Sequence, residues 1–305
     1  MISYLEGGIN IIMKQNTNEI FSETDAERKE TFKRMLAQRE DTARKAREGS
    51  LLQKLSIDFF SRFSRNPEAE PGRDEIIIQA GWRIVYLQNP TPVVVKMAGH
   101  LSEFFERCMG VSLSIEAVSD MEAAQLPAIM LHENGGSVSD VPESFTIKAL
   151  PDRIIVAGAD SSGLRSGVVR LIGLMGLRQA PFVKLGEINY MPRIAVRVVN
   201  LGGIPNDIFY GGNSVILGGY ELYALSTSDA IPELAVRRNP AAIKHLMKQA
   251  ELAREYDLGK YVMLFTRDKF EKNDPIFNTY PDIRGALTWK EDGPYTLCTE
   301  HPLVR

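Results

Sequence analysis

Four acidic residues in the second half of the chain could act as general acids, bases or nucleophiles. Glu221, Asp229, Glu233 and Asp268 follow stretches predicted to be β-strands, and the carboxyl ends of parallel strands meet at one edge of a sheet. None of them has a second carboxylate in a context that singles it out. Each is therefore also consistent with a solvated charge in a polar loop.

Arg197 is a different kind of candidate, because it interrupts the apolar run Ile194 to Val199 (IAVRVV). A guanidinium group is costly to bury unless a carboxylate or a ligand meets it. Two interpretations follow: Arg197 binds a ligand, or it forms a structural salt bridge. Asn200, at the end of the same predicted strand, is a second candidate for ligand contact.

Three aromatic side chains in predicted loops could stack on a flat ligand or pack against their own domain. They are Tyr220, Tyr223 and Trp289.

Cofactor and metal chemistry find little support in the sequence. The four histidines include no HExxH motif, and the two cysteines, Cys108 and Cys298, lie far apart. Gly158 to Gly163 precedes a predicted helix but lacks the GxGxxG and GxxxxGK[ST] patterns, so packing explains these glycines better than phosphate binding. We predict no cofactor and no metal.

The composition is that of an ordinary globular protein, with 44% apolar and 25% charged residues. A net charge of -3 gives no electrostatic reason to predict nucleic acid or an anionic membrane as a partner. No apolar run has the length of a membrane span. The first twelve residues lack the basic region and cleavage site of a signal peptide, and a start at Met13 fits the sequence equally well. We expect a cytoplasmic chain.

Residues 1–72 are predicted to be a helical arm and a linker. Thr24 to Glu27 (TDAE) fits a capping box that opens a charged helix to about Glu48. Leu51 to Phe63 carries leucines and phenylalanines at helical spacing. This second helix either docks on the body of the protein or binds a partner.

Residues 73–190 are predicted to form a small α/β domain. Its helices are expected at about 90–110 and 162–176, each with one apolar face, and residues 177–192 are expected to be an irregular connector. The predicted strands are 75–78, 82–87, 113–118, 128–131, 144–150 and 153–157, the last two forming a hairpin about Pro151-Asp152. This order predicts a sheet covered on one face by two helices.

Residues 191–305 alternate predicted strands and helices. Strands are expected at 194–199, 213–217 and 261–265, and Asn239-Pro240 predicts the start of a helix. Parallel strands with helical returns suit either a doubly wound sheet or a (β/α) barrel.

The stretch Ser144 to Gly176 resembles the accessory domain that precedes the barrel in β-N-acetylhexosaminidases and α-glucuronidases. Phe145 takes the aromatic place of that domain's first strand. Pro192-Arg193-Ile194, together with Arg197, resembles the entry into barrel strand one, whose second arginine often faces the sugar. The matches to the turn–helix pattern are Asp160, Gly163, Gly167 and Leu171, and Leu297 to Arg305 (LCTEHPLVR) resembles the segment after barrel strand three.

The resemblance implies an accessory α/β domain followed by the first βα units of an incomplete (β/α)8 barrel, since a whole barrel needs about 250 residues. It implies a carbohydrate partner, an oligosaccharide or glycoside, with Arg197 and Asn200 as substrate-binding residues. The family's catalytic carboxylates lie further along the barrel, so we expect this chain to be an N-terminal fragment of a glycoside hydrolase and inactive by itself. Asn200 to Gly203 (NLGG) departs from the hexosaminidase pattern, which favours α-glucuronidase-like or uncharacterised relatives over a true hexosaminidase.

Two other interpretations stay open. One is a non-catalytic carbohydrate-binding or protein-interaction module, consistent with the loop aromatics and the Leu51 to Phe63 helix. The other is a nucleotide-dependent α/β enzyme, which would need a phosphate-binding loop that the sequence does not display.

Overall fold

The computed structural model describes residues 58–134, 139–200, 202–265, 268–287 and 294–304. From Asp58 onwards these residues form one compact unit. The capping box at Thr24 and most of the predicted Leu51 to Phe63 helix lie outside the described residues. Where that segment enters the structure, Phe59–Arg62 is a 3-10 helix with Phe59 and Phe60 buried. The predicted boundaries after residues 72 and 190 stay predictions.

The structure has a mixed α/β fold, as predicted. Its strands are β1 (Glu75–Ile77), β2 (Arg83–Leu87), β3 (Ser114–Val118), β4 (Ala128–His132), β5 (Phe145–Leu150), β6 (Arg153–Gly158), β7 (Phe182–Lys184), β8 (Gly186–Tyr190), β9 (Ser214–Glu221), β10 (Gly259–Phe265), β11 (Arg284–Leu287) and β12 (Tyr295–Leu297). Its α-helices are α1 (Pro92–Phe104), α2 (Ser161–Arg178), α3 (Asn206–Phe209), α4 (Leu222–Leu225), α5 (Pro240–Glu255) and α6 (Ile276–Thr279).

Six strands form the central sheet in the order β3-β2-β4-β6-β5-β8. The first four run parallel, β5 runs antiparallel to β6, and β8 runs antiparallel to β5. Leu150 pairs with Arg153 across the predicted two-residue turn, so the hairpin is confirmed. The expected irregular connector is wrong, because β7 pairs with β1 and β8 joins the sheet at β5. All five residues of β8 are exposed, so the sequence has no buried apolar pattern that would predict this edge strand. The strand is recognised by its pairing with β5.

Helices α1 and α2 pack beside each other on one face of the sheet, as expected. Their buried residues join those of the sheet in one large core, including Met97, Leu101, Ile129 and Val168. The opposite face carries a smaller cluster around Val85 and Met130. Helix α1 continues as a π-helical turn, Phe105–Met109, and ends at Gly110 in the left-handed conformation.

Two glycines of α2 allow the helix to approach the sheet closely. A Cβ atom at Gly163 would lie 2.2 Å from the backbone oxygen of Ser144, and one at Gly167 would lie 2.7 Å from a methyl carbon of Val156. The Asp160 carboxylate caps the helix by accepting a hydrogen bond from the Gly163 N–H at 2.7 Å. Close packing therefore accounts for both glycines, and the helix start is occupied by a residue of the chain itself.

The second part of the chain begins with adjacent parallel segments. Strands β9 and β10 pair in parallel with α5 between them, and Val198 forms a single parallel bridge to Ser214. The predicted strand at 194–199 is therefore wrong beyond this bridge. The physical reason is a side chain: the Arg197 backbone N–H donates to the Asn213 side-chain oxygen at 2.7 Å instead of to a neighbouring strand.

Helix α5 starts where the sequence predicts it. The Asn239 side chain accepts hydrogen bonds from the N–H groups of Ala241 and Ala242, which confirms the cap. Met247 of this helix is exposed. The helix ends at Glu255, Asp257 just beyond it turns the chain with a positive φ of 51°, and Gly259 begins β10.

A small second hydrophobic core is formed by residues between Ile231 and Leu297. It contains Ile231, Leu234, Phe270, Ile276, Phe277, Ile283 and Leu297. Strands β11 and β12 pair in antiparallel fashion beside it, and the Arg237 guanidinium lies 3.8 Å from the centre of the Phe270 ring.

Candidate functional site

The Arg197 guanidinium is bound by the protein on all three of its nitrogens. Its Nη2 lies 2.7 Å from a Glu143 carboxylate oxygen, Nε donates to the Gly211 carbonyl at 3.0 Å, and Nη1 donates to the Ile194 carbonyl at 2.6 Å. This is the geometry of a structural salt bridge, the second of the two interpretations of this arginine. This salt bridge connects the segment 194–199 to the loop before β5.

Glu143 serves a second arginine at the same time. Arg165 of α2 is only 1% exposed, and its Nη2 lies 3.2 Å from the other Glu143 carboxylate oxygen. Burial lowers the pKa of the Arg165 guanidinium, and the neighbouring Glu143 carboxylate opposes that shift. Arg165 also donates to the carbonyls of Tyr256 and Asp257, so it ties α2 to the end of α5.

Asn213 completes this group, which we call the Glu143 network: Glu143, Arg165, Arg197 and Asn213. The Asn213 side-chain amide donates to Glu143 at 3.0 Å and to the Ala195 carbonyl at 2.7 Å. Glu143 itself has a positive φ of 64°, and its N–H donates to the Asp160 carboxylate at 3.0 Å. The network therefore joins the carboxyl edge of the central sheet to the segment 194–199 and to the start of β9.

A second polar contact lies beside the network at Asp257. Ser161 and Ser162 donate hydrogen bonds to its carboxylate at 2.6 and 3.0 Å. Burial by itself would raise the pKa of the Asp257 carboxyl, but these hydrogen bonds outweigh it and the pKa lies below its ordinary value. Asp257 is thus held as a carboxylate against the start of α2.

The two predicted substrate-binding residues line different cavities. Arg197 lines a cleft of about 620 Å³ between α2, β8 and the segment 208–212. Asn200 is exposed and lines a pocket of about 150 Å³ near the ends of the first two parallel segments. The pocket also presents Asp207 of α3 and Gln249 of α5. The structure does not bring Arg197 and Asn200 into one site.

The predicted acidic candidates have separate environments. Asp268 is buried just past the end of β10, and its carboxylate accepts a hydrogen bond from the Tyr223 N–H at 3.3 Å. Burial, and to a lesser extent Asp268, raises the pKa of the Tyr223 phenol. Glu233 is exposed and accepts from the Tyr280 hydroxyl at 3.2 Å, and Asp229 is exposed. The side chains of Tyr220 and Glu221, and all of Trp289, lie outside the described residues.

Within the described ranges, no three histidine, cysteine, aspartate or glutamate side chains are grouped as a metal site would require. In the same part of the chain, no helix has both the length and the apolar character needed to cross a membrane.

Three members of the Glu143 network were not predicted from the sequence. Arg165 carried a usable signal, because it lies three residues before Val168 and seven before Ile172, on the buried face of a helix. Asn213 and Glu143 carried no such signal. Asn213 is the first residue of the predicted strand 213–217, Glu143 directly precedes the predicted strand 144–150, and only the folded chain brings them to Arg197.

The sequence matches no family model and none of the curated proteins. Among solved structures, it is similar to the GH20 β-N-acetylhexosaminidase of Streptomyces coelicolor A3(2), with 16% identity, a TM-score of 0.49, and coverage of 81% of this chain and 55% of that one. A GH138 enzyme targeting pectin rhamnogalacturonan II is similar over 66% of this chain and 33% of its own, at 14% identity and a TM-score of 0.46.

A third similar structure is the β-N-acetylhexosaminidase of Bacteroides fragilis NCTC 9343, with 16% identity, a TM-score of 0.42, and coverage of 77% of this chain and 50% of that one. The chain spans a third to about half of the length of these structures. None of these TM-scores reaches 0.5, so no activity or substrate follows from the similarity.

Proposed function

We propose that this chain carries the accessory sheet and the first βα units of the catalytic barrel of a carbohydrate-active glycoside hydrolase of the hexosaminidase/α-glucuronidase type. The sequence resemblance supplies the family. The observation that carries the proposal concerns β9 and β10. These adjacent strands pair in parallel and have apolar side chains exposed to solvent.

The exposed residues of β9 and β10 follow the pattern of strands that need further cover. Ile216 is 47% exposed and pairs with Tyr261, which is also 47% exposed, so both lie on one face. Val198, bridged to Ser214 two residues before Ile216, lies on that face too and is exposed. In a closed barrel this face would be the packed interior.

The other face of β10 supports the same proposal. Val262 is 55% exposed, although its neighbour in register, Leu217, is buried against the helices. In the described part of the chain, β10 has β9 as its single sheet neighbour. A strand with apolar residues on both faces and one free edge is typical of a parallel sheet that continues.

The residues that carry the resemblance have structural roles in this fold. Asp160 caps α2, and Gly163 and Gly167 permit its close packing, so the turn–helix pattern builds the accessory layer. Arg197 fixes the entry segment to that layer through Glu143. We therefore propose Arg197 as a positioning residue of the barrel entry.

Asn200 is the better candidate for contact with the sugar of the barrel. Its side chain is exposed at the end of the entry segment, beside a small pocket that also presents Asp207 and Gln249. Active sites of barrels lie at this carboxyl end of the strands. An amide group there can both donate to and accept from sugar hydroxyls.

The test is a glycan array followed by titration of the full chain with the best neutral sugar. We expect weak binding that Asn200→Ala abolishes and that Arg197→Lys, which keeps a charge beside Glu143, preserves. Binding that depends on Arg197 and ignores Asn200 would contradict these roles. A folded chain that binds no neutral or acidic glycan would contradict the proposed function.

A parallel assay addresses hydrolysis. We expect no release of nitrophenol from nitrophenyl-N-acetylglucosaminide and no cleavage of aldouronic acids, because the acidic candidates Asp268 and Glu233 lie in separate environments. Turnover by the purified chain would overturn that expectation, and it would direct attention to Asp268 and Glu221.

A further inference from the structure

We propose that the cleft of about 620 Å³ beside α2 is a second ligand site, which binds an anionic pyranose, carboxylated or sulfated. Its volume is in the range of small-molecule sites in proteins. It is separate from the Asn200 pocket. The choice of a sugar rather than another ring rests on the proposed function; the anionic group is argued from the cleft alone.

The charge of the cleft is the first reason. Its described lining residues include three arginines, Arg165, Arg170 and Arg197, and no aspartate or glutamate. Glu143 neutralises one charge by bridging Arg165 and Arg197. The carboxylates of Asp257 and Asp160 also act on Arg165. Arg170 is therefore the arginine of this lining whose charge is left for a ligand.

Arg170 is the second reason. It is exposed on α2, and no hydrogen bond, ion pair or ring contact reaches its side chain from the described residues. Its guanidinium can bind a carboxylate or sulfate through two parallel N–H groups. An arginine in a concave wall, with no acidic neighbour on that wall, is suited to an anion supplied from outside.

The shape of the cleft is the third reason. Tyr190 is 44% exposed at the cleft and its orientation is fixed, because its ring stacks on Phe145 with centroids 4.9 Å apart and an angle of 23°. A fixed, exposed ring is what the apolar face of a pyranose packs against. Asn189 also lines the cleft, with its side-chain amide held by Thr146 and Glu187. The rest of the lining is largely apolar and includes Phe59, Val169, Ile188 and Phe209.

The structure also provides a way to close the cleft without disturbing the fold. Gly173 lines it from α2, and a Cβ atom there would meet nothing within 4 Å. Gly173→Leu should therefore fill part of the cleft and leave α2 intact. Gly99→Leu is the matched control, because Gly99 is also helical, has open space around it and is absent from the lining.

The experiment is a calorimetric titration of the full chain with glucuronate, glucose 6-sulfate, glucose and inorganic sulfate. We expect at least one anionic sugar to bind about tenfold tighter than glucose or sulfate, since the anion and the ring each contribute. Arg170→Gln and Gly173→Leu should each weaken that binding by about tenfold or more. Arg238→Gln, which removes an exposed charge elsewhere, and Gly99→Leu should not.

Several outcomes would overturn the proposal. Glucose binding as tightly as the anionic sugars would exclude a role for the anion, and sulfate binding as tightly would show nonspecific attraction to positive charge. Affinity unchanged in both Arg170→Gln and Gly173→Leu would place any binding outside the cleft. Neutral-sugar binding lost in Asn200→Ala would still support the proposed function, so the two failures can be told apart.

Discussion

Strands β6 and β10 each pair in parallel with one neighbour and are both rich in apolar residues, yet their surroundings differ. In β6, Ile154 and Val156 are wholly buried between α2 and the rest of the sheet, and the strand has neighbours on both sides. In β10, Tyr261 and Val262 point to opposite faces and both are about half exposed. The apolar side chains of β6 are therefore fully covered by neighbouring elements. Those of β10 are not covered by the described residues.

The packing of α2 on the sheet should give the largest effect. Gly163→Ala places a Cβ atom 2.2 Å from the Ser144 carbonyl oxygen, a backbone atom that cannot move alone. We expect a loss of about 3 kcal/mol or more in the free energy of unfolding, measured by urea denaturation. Gly173→Ala in the same helix meets nothing and should gain up to about 1 kcal/mol. Equal effects at the two glycines would contradict the close packing.

The comparison between the two strands can be tested directly with matched truncations. Ile154→Ala removes a buried side chain from β6 and should cost about 3 kcal/mol in the free energy of unfolding. Val262→Ala removes a half-exposed side chain from β10 and should change that free energy by less than about 0.5 kcal/mol. A similar cost for both variants would mean that β10 is covered in solution.

The link between the two regions should give an intermediate effect. Glu143→Gln leaves the buried Arg165 cation without its carboxylate and weakens the contact to Arg197, so we expect a loss of about 2 kcal/mol. Arg197→Gln leaves the Glu143–Arg165 pair in place and should cost about 1 kcal/mol. Thermal or urea denaturation measures both. A larger loss for Arg197→Gln would show that Arg165 is not the main partner of Glu143.

The smallest effect is a pH dependence at the contact of α1 with the end of α5. The His100 Nε2 lies 2.7 Å from the Tyr256 hydroxyl; burial lowers the pKa of His100, opposed by Glu103, and the Lys96 charge lowers it further. The folded state thus binds fewer protons than the unfolded state near the ordinary histidine pKa of about 6.5. Stability should fall as the pH drops through and below that value, before the carboxylates titrate.

His100→Gln should flatten the dependence of stability on pH between about 7 and 5. His132, whose pKa is also lowered by burial, would keep a residual slope. An unchanged slope in His100→Gln would show that this histidine does not contribute to it.

Local patterns predicted most of the sheet layer. The turn Pro151-Asp152, the proline at the start of α1 and the apolar face of α2 each have a short-range physical cause. Strand β8 escaped prediction because its side chains are exposed and its pairing with β5 is a tertiary contact. The strand predicted at 194–199 was too long. An apolar run cannot reveal that the Asn213 side chain, and not a neighbouring strand, accepts the hydrogen bond from the Arg197 N–H.

The candidate site was less predictable than the fold. Because a guanidinium group is costly to bury, the sequence correctly predicted a partner for Arg197. Sequence spacing could not show that this partner is Glu143, 54 residues earlier. The cleft was missed altogether, since Arg170 and Tyr190 have no periodic relation in sequence. A binding surface made by a helix and an edge strand becomes visible only after both are placed.

Hydrogen exchange of the full chain compares the two regions most directly. We predict that amides of β6 exchange only through global unfolding, whereas those of β10 exchange about a hundredfold faster or more, through local opening of an edge strand. Mass spectrometry of peptides spanning 153–158 and 259–265 measures this difference. Equal protection of the two peptides would contradict the claim that β10 is a less covered strand than β6.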